Sequence, residues 1–253
     1  MTWSFVPSAW IGCESSSPCW PNWVETQVRE MMKDHVLAEK RSKMYGFLAS
    51  ICLQPPSESL AAMIRDGSIL KMFDANQEEF WLSRLKGYVD RAAEDPELIE
   101  DLTAEHASFF VLPSGVIPHE AVYKDKKKRL GGRDTMDVAR FYQLAGAEIT
   151  EECIEMPDHL GIELQFMEFL CGIEKELAAK DEADGLRECH RLQNEFLNQH
   201  LLQWAFQCCE DIFRESEKGF YGAVANLVSD FLSSEKQYMA KLTAEYAEGR
   251  KQQ

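Results

Sequence analysis

At 253 residues, with 45% hydrophobic and 28% charged side chains, the chain is long enough for one substantial core and too apolar to be disordered throughout. Fourteen glycines and nine prolines favour long regular elements over a turn-rich architecture. A net charge of −16 opposes binding to a nucleic-acid duplex and favours a cationic partner.

The eight cysteines (Cys13, Cys19, Cys52, Cys153, Cys171, Cys189, Cys208 and Cys209) lie mostly within apolar helical patterns, and no C-x-x-C pair occurs. They read as reduced thiols of a cytoplasmic protein, with no metal centre and no bound cofactor expected. The apolar start has no basic residue before Arg29, unlike a secretory signal. The longest apolar run, Met44–Leu53, is about half a membrane span, so no membrane insertion is expected.

Residues 1–23, with Pro7, Pro18, Pro21 and serines 15 to 17, read as an irregular N-terminal extension to an all-helical domain over 24–250. From Val24 to Leu53, apolar residues recur at helical spacing until Pro55 and Pro56 end the run, giving one long helix or two in tandem. Further helices are predicted over 57–72, with Ser57 as N-cap, over 78–93 and over 98–110. Residues 111–134 then carry three glycines, two prolines and the basic run Lys124, Lys126, Lys127, Lys128 and Arg129. They predict a loop of about twenty residues, a length that is more often functional than idle. With no aromatic platform beside it, the basic run does not read as a nucleic-acid site.

Helical spacing resumes over 135–147, 157–179, 186–214 and 219–246. No segment alternates with period two over strand length, and no phosphate-binding glycine loop occurs. The fold class is therefore all-α, a single globular helical domain whose halves, about 24–110 and 135–250, are joined by the 111–134 loop.

The helix predicted from Pro157 has apolar residues around most of its circumference, so it should run through the core. Pro157 suits a first helical turn, and Asp158 would be an acid of that turn facing a narrow polar strip. His159 and Glu163, one turn apart, should pair with each other. Two rival readings are a small metal-dependent hydrolase using His159 and Glu163 with His119 or His106, and a helical scaffold for another subunit. The first lacks a nucleophile and a substrate motif.

Three ordered stretches resemble the TorD/DmsD/NarJ family of redox-enzyme maturation chaperones: Glu105-His-Ala-Ser-Phe-Phe-Val-Leu-Pro113, Pro118-His-Glu-Ala-Val-Tyr123 and Pro157-Asp-His-Leu-Gly-Ile-Glu-Leu-Gln-Phe-Met167. Phe196-Leu-Asn-Gln-His-Leu-Leu-Gln-Trp204 and Phe220-Tyr221 extend the likeness over about residues 35–235. The resemblance implies a non-enzymatic cytoplasmic chaperone, monomer or homodimer. Its partner would be the apo catalytic subunit of a dimethyl-sulfoxide-reductase-type molybdoenzyme, bound at a twin-arginine leader and held back from export until the molybdopterin cofactor is inserted. It further implies that Asp158 and His159 belong to the leader-binding site, with Pro118, Glu120 and Tyr123 in the preceding loop and Glu163, Glu105 and Pro157 in support. The lysine-rich stretch after Tyr123 departs from the family pattern.

Overall fold

The structure, a computed structural model, describes residues 4–5, 22–73, 79–112, 115–150, 153 and 155–249. Helical spacing in the sequence becomes helix nearly throughout. The order is α1 (Asn22–Leu53), α2 (Glu58–Arg65), α3 (Phe80–Ala92), α4 (Leu98–Phe110), α5 (Glu120–Lys124), α6 (Arg133–Leu144), α7 (Leu160–Ala179), α8 (Ala183–Phe196), α9 (Leu202–Glu215) and α10 (Phe220–Gly249). The fold is all-α. Its only ladder among the described residues is a two-residue antiparallel pairing of β1 (Ser4–Phe5) with β2 (Ala147–Glu148). The rest of the predicted irregular extension, residues 1–3 and 6–21, lies outside the described residues, while 22 and 23 already belong to α1.

Three predicted helices differ in extent. The segment over 57–72 starts as expected, with the Leu60 N–H donating to Ser57 Oγ at 3.1 Å. It stops at Arg65, because Gly67 turns left-handed (φ 68°) and leads into a 3₁₀ turn over Ser68–Met72. The helix expected over 186–214 is divided by a π-helical turn at Leu197–Leu201. The helix expected from Pro157 begins only at Leu160, with His159 as N-cap.

Helix α7 is the central element, packed most extensively against α1. Leu160, Ile162, Leu164, Phe166, Met167, Leu170 and Cys171 are all buried, as the near-complete apolar circumference requires. Close approach of the two helices depends on Gly161, where a Cβ would stand 2.5 Å from Leu53 Cγ. Residues from both sequence halves thus enter one core. The buried cysteines carry free thiols, and burial pushes Cys189 and Cys209 up to about 12, which makes them poor nucleophiles.

A buried charged junction ties α1, α7, α8 and α10 together. Arg41 donates from Nη1 to Glu174 at 2.6 Å, from Nη2 to Glu235 and Gln193 at 2.7 Å each, and from Nε to Glu235 at 2.8 Å. Tyr45 donates to the same Glu235 carboxylate at 2.9 Å, and Gln193 donates to Glu174 at 2.8 Å. Arg41 is only 4% exposed, so its charge depends on these partners.

Candidate functional site

The loop before α5 folds back onto the entry to α7. Glu120 N–H donates to Asp158 O and Leu160 N–H to Pro118 O, each at 2.9 Å, which pairs His119 with His159 in antiparallel fashion. This pairing holds residues 157–159 extended or turned, and the helix cannot start until Leu160. Pro157 therefore lies outside the first turn, where its carbonyl accepts from Tyr142 Oη at 2.8 Å.

Asp158 does not face a polar strip as a first-turn acid of α7. It is fully buried, and its Oδ2 accepts the Ala121 N–H at 3.0 Å, so it caps α5, a helix separated from it by more than thirty residues of sequence. Its Oδ1 lies 3.6 Å from His119 Nδ1. Burial alone would raise the Asp158 carboxyl, but His119 and the Ala121 N–H outweigh it and hold the group below the usual carboxylate range.

His159 and Glu163 do not pair through their side chains. His159 Nδ1 accepts the Gly161 N–H at 3.1 Å, an N-cap bond that leaves the proton of the neutral ring on Nε2. Burial first, and the neighbouring His119 second, push this imidazole down to about 3. Glu163 Oε2 instead accepts from Trp204 Nε1 at 3.2 Å. Burial and then the adjacent Glu120 charge raise the Glu163 carboxyl well above the ordinary range.

Glu120 is fully buried and faces two cationic or potentially cationic groups. Its oxygens lie 3.0 and 3.2 Å from His200 Nδ1, and Lys124 Nζ donates to it at 2.7 Å. Lys124 also pairs with Asp134 at 3.3 Å, tying α5 to α6. His200 lies in the π-helical turn, in the segment that delivers Trp204 to Glu163. Tyr123 stacks obliquely on Trp204 at 5.6 Å between centroids and donates from Oη to Asp211 at 3.2 Å.

Beside this junction opens a cleft of about 330 Å³. Val116, Ile117, Val122 and Tyr123 line it, together with Lys128, Asp211, Arg214 and Glu215. Pro118, Glu120, Tyr123, Pro157, Asp158, His159 and Glu163 thus form one linked group, and Tyr123 is the member that lines the cleft. Glu105 is not in that group. It accepts from Ser216 Oγ and lines a separate cleft with Tyr88, Asp95 and Asp101.

His119, Glu155 and His159 each offer one possible metal ligand within 4.8 Å of one another. A metal on His159 Nε2 would need the ring proton moved to Nδ1, where it would oppose the Gly161 N–H and break the cap of α7. The donor set as folded therefore does not fit a metal ion, and Glu163, turned to Trp204 and Glu120, cannot complete the set expected for a hydrolase. Sequence reasoning missed Glu155, His200, Trp204, Lys124 and Asp211 as members of this region. His200 and Trp204 stand in a quoted family stretch, but nothing in their spacing indicates Glu120 and Glu163 as partners.

The family model described as nitrate reductase delta subunit matches residues 73–210, more than half of the chain and the whole stretch from Pro118 to Trp204. A chaperone protein TorD of Vibrio cholerae is 24% identical over 221 residues, covering 85% of this chain and 99% of its own. A selenate reductase assembly chaperone protein of Thauera selenatis is 32% identical over 118 residues, 46% of this chain and 60% of its own. The TorD chaperone of Aliivibrio fischeri is 27% identical over 149 residues, 58% and 67% of the two chains. With a matched span that holds both the central helix and the loop clamped to it, the chain belongs to the nitrate reductase delta subunit family, the TorD/NarJ group of molybdoenzyme chaperones.

Proposed function

We propose that this chain, a molybdoenzyme-maturation chaperone and not an enzyme, acts in the cytoplasm on the apo catalytic subunit of a dimethyl-sulfoxide-reductase-type enzyme. It binds that subunit at a twin-arginine leader and keeps it from export until the molybdopterin cofactor is inserted. The observation that carries this reading is the cleft beside α5, with apolar Val116, Ile117, Val122 and Tyr123 next to the carboxylates of Asp211 and Glu215. A leader with a cationic head and an apolar body matches such a lining, and a net charge of −16 speeds its approach. Arg214 is already paired with Glu210 and Asp211, so among the described residues Glu215 is the lining carboxylate offered to a leader arginine, against the one unpaired lining cation, Lys128.

In this reading Asp158 and His159 are positioning residues. Both are buried, and they fix α5 and the start of α7 so that Tyr123 is held at the cleft. Titration calorimetry with a synthetic leader peptide tests the proposal. Neutralising both leader arginines should weaken binding at least tenfold, about 1.4 kcal/mol. Equal affinity for the two peptides, or no binding of either, would refute it.

A further inference from the structure

We infer that the lysine turn after α5 is a second docking surface, one that takes an acidic, leucine-type segment of the client polypeptide. This goes beyond leader binding and rests on the chaperone reading only in taking a polypeptide chain as occupant.

In a chain of net −16, cations normally find carboxylates, and around this turn three do: Lys124 pairs with Glu120 and Asp134, Arg129 with Asp125, and Arg133 with Asp137. Lys126, Lys127 and Lys128 are exposed and pair with no carboxylate among the described residues. Three adjacent ammonium groups repel one another and leave a local positive patch on an acidic molecule.

The patch is held in a set shape. Asp125 Oδ1 accepts the Lys127 N–H at 3.2 Å, Asp125 O accepts the Lys128 N–H at 2.9 Å, and Asp125 Oδ2 accepts from Arg129 Nε at 2.7 Å. Lys128 is left-handed at φ 52°, a conformation a non-glycine residue keeps only where its surroundings enforce it. Preorganisation of this kind lowers the ordering cost of binding.

Apolar surface accompanies the charge. Leu130 is 50% exposed and Met136, in the first turn of α6, is 55% exposed. Lys128 also lines the cleft that Tyr123 and Asp211 share, so an occupant of the turn would lie next to the proposed leader. Alternating carboxylates and leucine-like side chains satisfy both features. A nucleic acid does not, because the free cations are few and the field of the whole chain repels a polyanion.

The test uses the full chain and a fluorescein-labelled peptide of alternating Glu and Leu, with a Gln-for-Glu peptide and a single-stranded oligonucleotide as controls. Binding of the Glu-Leu peptide should weaken at least tenfold in the Lys126→Glu, Lys127→Glu, Lys128→Glu triple variant and fall with added salt, with melting unchanged because all three side chains are exposed. Leu130→Ser with Met136→Ser should weaken it as well. No binding by the parent chain, equal binding by the triple variant, equal binding of the Gln peptide, or displacement by the oligonucleotide at lower concentration would each overturn the inference. A Lys126→Glu, Lys127→Glu double variant, which leaves the cleft lining intact, keeps the two proposals apart when titrated with both peptides: it should lose affinity for the Glu-Leu peptide and retain leader binding, and a parent that takes the Glu-Leu peptide but no leader refutes only the leader reading.

Discussion

Acidification from pH 7 to pH 5 should weaken the fold through His159. An imidazole in the unfolded chain titrates near 6.5, whereas burial and the neighbouring His119 hold His159 down to about 3 in the native protein. Between those values the unfolded chain binds a proton that the folded chain excludes. The stabilisation is therefore complete above about pH 6.5 and declines as pH falls toward the folded value. At pH 5 the solution is about 1.5 units below the unfolded value, which at about 1.36 kcal/mol per unit gives a loss of about 2 kcal/mol. The informative variant is His159→Asn, because asparagine is a good N-cap and keeps an acceptor for the Gly161 N–H without titrating. Urea unfolding of parent and variant at both pH values measures the effect. Contributions from His106, which burial also lowers, and from the raised carboxyls of Glu105 and Glu163 are common to both proteins and cancel in the comparison. The parent should lose about 2 kcal/mol more than the variant over this interval. Equal losses would refute the assignment of His159 as a buried neutral cap.

Asp158→Ala strands the Ala121 N–H and should cost about 1–3 kcal/mol with faster amide exchange at Ala121, whereas Asp158→Asn keeps an acceptor and should cost less; equal melting of all three proteins would sink the clamp. Glu163 has a raised pKa, so the stability it contributes is present at low pH and lost as pH rises through the folded value. Glu163→Gln, which still accepts from Trp204, should flatten the decline in stability that chemical denaturation shows as pH rises above the ordinary carboxylate range, and an unchanged slope would count against the shared burial of Glu120 and Glu163. Arg41→Met leaves Glu174 and Glu235 without their shared cation and should lower stability by about 3–5 kcal/mol; a loss under about 1 kcal/mol in the same assay would mean that the junction opens to water.

Apolar spacing by itself determined most of the helices and the central place of α7, because a helix with nearly its whole circumference apolar has to be covered on nearly every side. Local chemistry was equally readable where it acts over a few residues, as at Ser57, whose hydroxyl meets an N–H three positions on. Only the tertiary structure decided where α7 begins. The sequence around Pro157 satisfies the rules for a first turn, but pairing of His119 with His159 keeps those residues out of helix and moves the cap to His159. The same reason governs the site. Helical spacing tells which residues share a face and is silent about what that face meets, so Asp158 turned out to cap α5 and Glu163 to meet Trp204. Arg41 and Glu235, 194 residues apart, form a buried ion pair on the same terms. Burial makes such polar groups pair, and the chain's route through space, which periodicity does not encode, selects the partner.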